Sequence, residues 1–123
     1  MNPDPLPNRK MSEMISEMAA SFISGGKTPE EKHHRLTAAC SAWNMACGSQ
    51  EMRRQQLEQY VEGYRQNNPA TSPADLANIR KVMESLMERK LELFPDDKRQ
   101  LVSARIVMVG SAYRIETESA NLQ

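Results

Sequence analysis

Apolar residues recur along this chain in two rhythms, a period near 3.6 as far as Leu93 and a period near 2 beyond Gln100. Met11, Met14, Ile15, Met18, Ala19, Phe22 and Ile23 form a narrow stripe at helical spacing. This predicts an amphipathic helix that stops at the Gly25-Gly26 pair. A second helix opens at Thr28, where a capping hydroxyl, Pro29 and Glu31 make a capping box, and Gly48 supplies an expected left-handed stop. Leu36, Ala39, Cys40, Trp43, Ala46 and Cys47 share one of its faces, and Ala38, Ala42 and Met45 widen that face. A helix so apolar in its second half is expected to be enclosed on several sides, so this element is read as the centre of the fold.

Ser49 can cap a third helix, whose inner face is Leu57, Tyr60, Val61 and Tyr64 with Met52 on its margin; Asn67, Asn68 and Pro69 end it. Ser72-Pro73-Ala74-Asp75 starts a fourth, with Leu76, Ile79, Met83, Leu86 and Leu93 in a stripe that Lys90 interrupts. Arg80 with Glu84 and Ser85 with Arg89 stand four apart, the pattern of a solvated face. Short connections make consecutive helices antiparallel neighbours.

Beyond Asp96-Asp97-Lys98-Arg99 the period changes. Gln100 to Val109 reads as a strand, Gly110-Ser111 as a two-residue turn and Ala112 to Ser119 as the return strand. Setting Val109 against Ala112 brings Ile106 opposite Ile115, Met108 opposite Tyr113 and Arg105 opposite Glu116. One face is then Val102, Ala104, Ile106, Met108, Tyr113, Ile115 and Thr117, expected to rest on the helices. The opposite face carries the charges, interrupted by Leu101, Val107 and Val109.

The fold class is therefore α+β: four helices in antiparallel pairs followed by a C-terminal β-hairpin. Residues 1–10, with prolines at 3, 5 and 7, read as a disordered leader, 11–119 as one domain and 120–123 as a frayed tail. The expected core is Met14, Met18, Phe22, Leu36, Ala39, Cys40, Trp43, Leu57, Tyr60, Val61, Leu76, Ile79, Met83, Leu86, Ile106 and Ile115.

Charge removes some functions from the front rank. Sixteen basic and sixteen acidic residues cancel, so no net field draws the chain to nucleic acid or an anionic membrane. No apolar run approaches the ~20 residues of a membrane span, and the N-terminal stretch lacks the apolar core of a secretory signal. A cytoplasmic location follows as the expectation. Cys40 and Cys47 are seven residues apart on one helix, ~10.5 Å along its axis, too far for a disulfide, so both are read as free thiols.

Candidate chemistry is sparse. His33, Cys40 and Cys47 repeat at seven-residue intervals, but that spacing cannot gather them around one zinc ion, so no metal and no cofactor are expected. Neither histidine is placed to activate a cysteine on the same helix, and no nucleophile elbow or glycine-rich phosphate loop occurs. No catalytic residue is assigned. Arg53 and Arg54 at the start of the third helix, with Arg80 and Lys81 on the fourth, are the candidates for nucleic-acid binding. Glutamates at 51, 58, 62, 84, 88 and 92 interleave with them, which weakens that alternative.

The remaining clue is the hairpin, because two strands leave two unpaired edges. Leu101, Val107 and Val109 break an otherwise polar face and are the candidate interaction residues. The reading is a small non-catalytic interaction module, an adaptor, regulator or inhibitor, that acts through a helical face or the hairpin edge on a protein partner or a second copy.

Overall fold

A computed structural model describes residues 10–120, so 1–9 of the expected leader (1–10) and 121–123 of the expected tail (120–123) lie outside the described residues. Four helices, α1 (Met11–Ser24), α2 (Pro29–Ala46), α3 (Gln50–Asn67) and α4 (Pro73–Leu93), precede an antiparallel hairpin of β1 (Gln100–Val109) and β2 (Ala112–Ala120). The protein is of the α+β class. Lys10, assigned to the leader, is the extended N-cap of α1, and Ala120, assigned to the tail, pairs with Gln100.

The helix starts follow local chemistry. In the capping box of α2 the Glu31 N–H donates to Thr28 Oγ1 and the Thr28 N–H donates to Glu31 Oε2, both at 3.1 Å. Ser49 and Ser72 accept from the N–H groups of Met52 and Asp75 in the same way.

The helix ends depart from the expectation of left-handed glycine stops. Among the described residues only Gly110 has a positive φ, at 65°. Basic side chains take over part of that role. Arg35 Nη1 donates to Phe22 O at 2.7 Å, Lys32 Nζ donates to Gly26 O, and Arg53 Nη1 donates to Gly48 O at 2.7 Å. Gly26 is needed for a close approach instead: a Cβ there would lie 2.8 Å from the Lys32 backbone nitrogen.

α2 is the shared neighbour, touching α1, α3, α4 and β1, while β2 rests on α1. Its Trp43 is fully buried, with Leu36, Ala39, Ala42 and Ala46 beside it in the core. Met11, Ile15, Ala19 and Ile23 of the first stripe are buried as well. Of the expected core, Phe22, Cys40, Tyr60, Leu76, Ile79, Ile106 and Ile115 are only partly buried and pack around its margin. The two spacing pairs expected on α4 are replaced by contacts between helices. Arg80 pairs with Glu58 of α3, and Arg89 Nε donates to Met18 O of α1 at 3.0 Å.

The hairpin register matches the pairing expected from the turn, from Val109↔Ala112 through Arg105↔Glu116 to Ala104↔Thr117. A positive φ at Gly110 without one at Ser111 is the combination of a type II′ turn. The strict alternation fails at one point, because the register shifts between Leu101 and Ser103 and leaves Val102 as an extra residue. The bulge exchanges the two faces of the strand below it. Val102, expected inside, is 65% exposed, and Leu101, expected at an interface, is 7% exposed in the core.

Candidate interaction surface on the hairpin

The base of the hairpin is held by side chains acting where a third strand would. Asn44 of α2 accepts the Leu101 N–H on Oδ1 at 2.7 Å and donates from Nδ2 to Leu101 O at 3.0 Å. A carboxamide thus satisfies both outward backbone groups of one edge residue. Gln100 Nε2 donates to Asn44 O at 3.2 Å, and Trp43 Nε1 donates to Arg99 O at 2.8 Å.

Below this contact the turn from α4 into β1 folds over a buried polar cluster. Lys90 is fully buried, its Nζ donating to Asp97 O at 2.6 Å and standing 5.1 Å from the centre of the Trp43 ring. Burial pushes the Lys90 pKa below its ordinary value. The Asp97 carboxylate accepts from the Arg99 backbone N–H at 3.0 Å and from Arg99 Nη2 at 2.7 Å. Burial acts on Asp97 in the upward direction, yet those bonds from Arg99 bring its pKa below the ordinary carboxylate value. Cys47 Sγ donates weakly to Asp97 O and Arg99 O, both at 3.6 Å.

No buried side-chain nitrogen or oxygen among the described residues lacks a partner. In sequence Lys90 looked like a break in the apolar stripe of α4. Its role depends on carbonyl and ring neighbours that arrive from distant positions, so spacing held no signal for it.

At the other end the hairpin is open. Ser24 Oγ and Tyr113 OH lie 2.9 Å apart, and Lys32 Nζ stands 5.6 Å from the Tyr113 ring centre, which ties the inner face to the α1–α2 turn. Met108, expected to be buried, is 42% exposed because it lies next to the tip. On the outer face Val109 is 55% exposed and Val107 half-buried, so of the three candidate interaction residues these two remain available and Leu101 does not. Arg105 and Glu116 form the expected cross-strand pair, at 2.8 Å from Nε and 2.5 Å from Nη2, and Arg114 reaches the other Glu116 oxygen at 2.9 Å. These bonds hold the Glu116 carboxyl below its ordinary range; both arginines sit in solvent and Glu116 is half-buried.

The other candidate residues are dispersed. Arg53 is committed to Gly48 O and Arg80 to Glu58. Arg53 and Arg54 line one shallow cleft with Glu84 and Glu88, and Lys81 is exposed. Positive and negative groups therefore alternate where a phosphate track would need a single sign.

His33 and His34 are exposed in the second turn of α2. Among the described residues no three His, Cys, Asp or Glu side chains come together as a metal site. A groove of about 600 Å³ between α2, α3 and the start of β1 exposes Ser41, Asn44, Gln56, Gln59 and Gln100 beside Cys47 and Tyr60. Burial raises the Cys47 pKa, and raises that of Cys40 to about 12, so both are held as neutral thiols and neither is primed as a nucleophile. No described helix is long and apolar enough to cross a membrane.

Comparison with family models, with curated proteins and with solved structures finds no match to this chain.

Proposed function

We propose that the protein is a small cytoplasmic interaction module, an adaptor or regulator without catalysis of its own, whose docking surface is the distal half of the hairpin. The observation that carries this reading is a two-stranded sheet hydrogen-bonded to α2 at its base whose distal half exposes Val109 and Met108, with Val107 half-buried beside them. Exposed apolar side chains on an unpaired sheet are suited to a protein partner that adds a strand or covers the face. The neutral overall charge, the alternating signs around Arg53, Arg54, Arg80 and Lys81, and the two free thiols accord with protein binding in a reducing compartment.

Site-specific photo-crosslinking tests it. A photoreactive residue in place of Val109 is expected to capture protein in living cells, while the same group in place of Glu84 on α4 is not. Equal capture at both positions, or none at Val109, overturns the assignment to the hairpin.

A further inference from the structure

We propose that the hairpin pairs with a second copy of this chain along the edge of β2, antiparallel about a two-fold axis centred on Ile115. The proposal rests on the reading of the hairpin as the docking surface and names its occupant. Three observations carry it.

The first is that the two edges are treated differently. β1 is interrupted by the bulge at Val102, and Asn44 occupies its backbone at Leu101, two devices that discourage strand addition. β2 runs from Ala112 to Ala120 with no proline, no lysine and no extra residue of its own. No side chain or backbone of another element bonds to the backbone of residues 112–119 among those described. Among the described residues the open edge is β2.

The second is the direction of its free groups. A two-residue turn makes Val109↔Ala112 a hydrogen-bonded pair, so Ala112, Arg114, Glu116 and Glu118 turn their N–H and C=O groups toward β1. Tyr113, Ile115 and Thr117 turn theirs outward. An antiparallel neighbour centred on Ile115 would bond at all three.

The third is charge. Centring on Ile115 sets Arg114 opposite Glu116 of the second copy, and Glu116 opposite its Arg114, in the closely spaced non-hydrogen-bonded positions. Across the outer face the order becomes Arg105, Glu116, then Arg114 of the second copy, extending the Arg105–Glu116 pair already formed within the hairpin. The other two-fold registers carry a repulsion or no match. Centring on Glu116 also sets Arg114 opposite Glu118, but it places Glu116 against Glu116 at the axis. Centring on Arg114 places like charges at the axis, centring on Thr117 sets Glu116 against Glu118, and centring on Tyr113 leaves the charges unpaired. A sequence that pairs its charges without repulsion in one register is suited to an isologous contact.

The test compares purified full-length wild type, Arg114→Glu, Glu116→Arg and an equal mixture of the two variants by sedimentation velocity and native mass spectrometry, with circular dichroism to confirm folding. Wild type is expected to dimerise by ~100 μM, and each variant alone to bind itself about tenfold more weakly, because two matched pairs become two repulsions. The mixture is expected to recover wild-type affinity as a heterodimer, since Glu at 114 of one chain then faces Arg at 116 of the other. Thr117→Pro is a second probe, because it removes an outward N–H without touching the intrachain ladder, and it is expected to be folded and monomeric. A monomeric wild type at ~100 μM overturns the proposal. So does a dimer that the single variants leave intact, or a mixture that shows no recovery. If wild type is monomeric while the crosslinker at Val109 captures a different protein, the hairpin reading stands and only the second copy fails.

Discussion

The two ends of the hairpin differ in what they ask of the rest of the molecule. At the base, Arg99 to Leu101 is fastened by Trp43, Asn44 and the Lys90–Asp97 cluster, with each buried side-chain nitrogen and oxygen among the described residues partnered. At the tip, Met108 to Ala112 is exposed and β2 keeps a row of outward backbone groups. The same ten-residue strand β1 is therefore an internal element at one end and a surface element at the other. The bulge at Val102 marks the change, since it turns Leu101 inward and lets the alternation above it continue in register. A rigid base beneath an open tip suits docking, because little conformational entropy remains to be lost when a partner binds.

The largest effect should come from the shared support of the base. Trp43→Ala removes a fully buried indole, its bond to Arg99 O and its contact with the Phe94 ring, whose centroid lies 5.8 Å away. A loss of ~3–5 kcal/mol is expected, measured by urea denaturation, and could exceed the whole stability of a domain of this size. An unchanged midpoint would show that α2 is not the centre of the fold.

Asn44→Ala should come next, at about 2–3 kcal/mol, because it strands both the N–H and the C=O of Leu101 in a poorly solvated position. Amide exchange at Leu101 should accelerate in that variant while exchange in α3 falls only by the global loss. Uniform acceleration everywhere would mean that Asn44 supports the domain and not the strand edge.

The thiols yield a pH test of how dry the helical layer is. Cys40 titrates at 9.0 when unperturbed and at about 12 in the fold, where burial disfavours the thiolate. Between those values the unfolded chain has lost the proton and the folded chain still holds it. Stability conferred by the neutral thiol is thus complete below pH 9 and is lost as the pH rises toward about 12, with a limiting slope of about 1.4 kcal/mol per pH unit. Lys90, whose pKa is lowered by burial, acts in the opposite sense, because its unfolded form binds the extra proton and stability rises with pH through its window. Comparing wild type with Cys40→Ala from pH 8 to about 10.5 isolates the cysteine contribution. Parallel curves would show that the Cys40 thiol is as well hydrated in the fold as in the unfolded chain.

The smallest stability effect is expected at the tip. Val109→Lys should change stability by less than about 0.5 kcal/mol, since the side chain already lies in solvent. In the same variant co-purification of a protein partner should weaken. A variant that unfolds would place Val109 in the core and reverse the contrast between the two ends.

Much of this architecture is local in origin and was readable along the chain. The four helices and the hairpin turn fall where their caps, prolines and periods put them. Thr28 and Glu31, Ser72 and Pro73, and Gly110 each act within a few residues of their own position. The pairing from Val109↔Ala112 to Ala104↔Thr117 follows from a turn that admits one register.

Tertiary structure decided what depends on distant partners. Whether Lys90 is buried rests on Asp97 O and the Trp43 ring, and whether Arg80 meets Glu84 or Glu58 rests on how α3 lies against α4. The bulge at Val102 belongs to the same class. An alternating pattern has no memory of an inserted residue, and the strand edge at Leu101 is satisfied by Asn44, more than fifty positions earlier in the chain, which offers both a donor and an acceptor to its backbone. Caps and periods are set by neighbours along the chain, whereas burial and hydrogen-bond satisfaction are set by neighbours in space, and only folding brings those together.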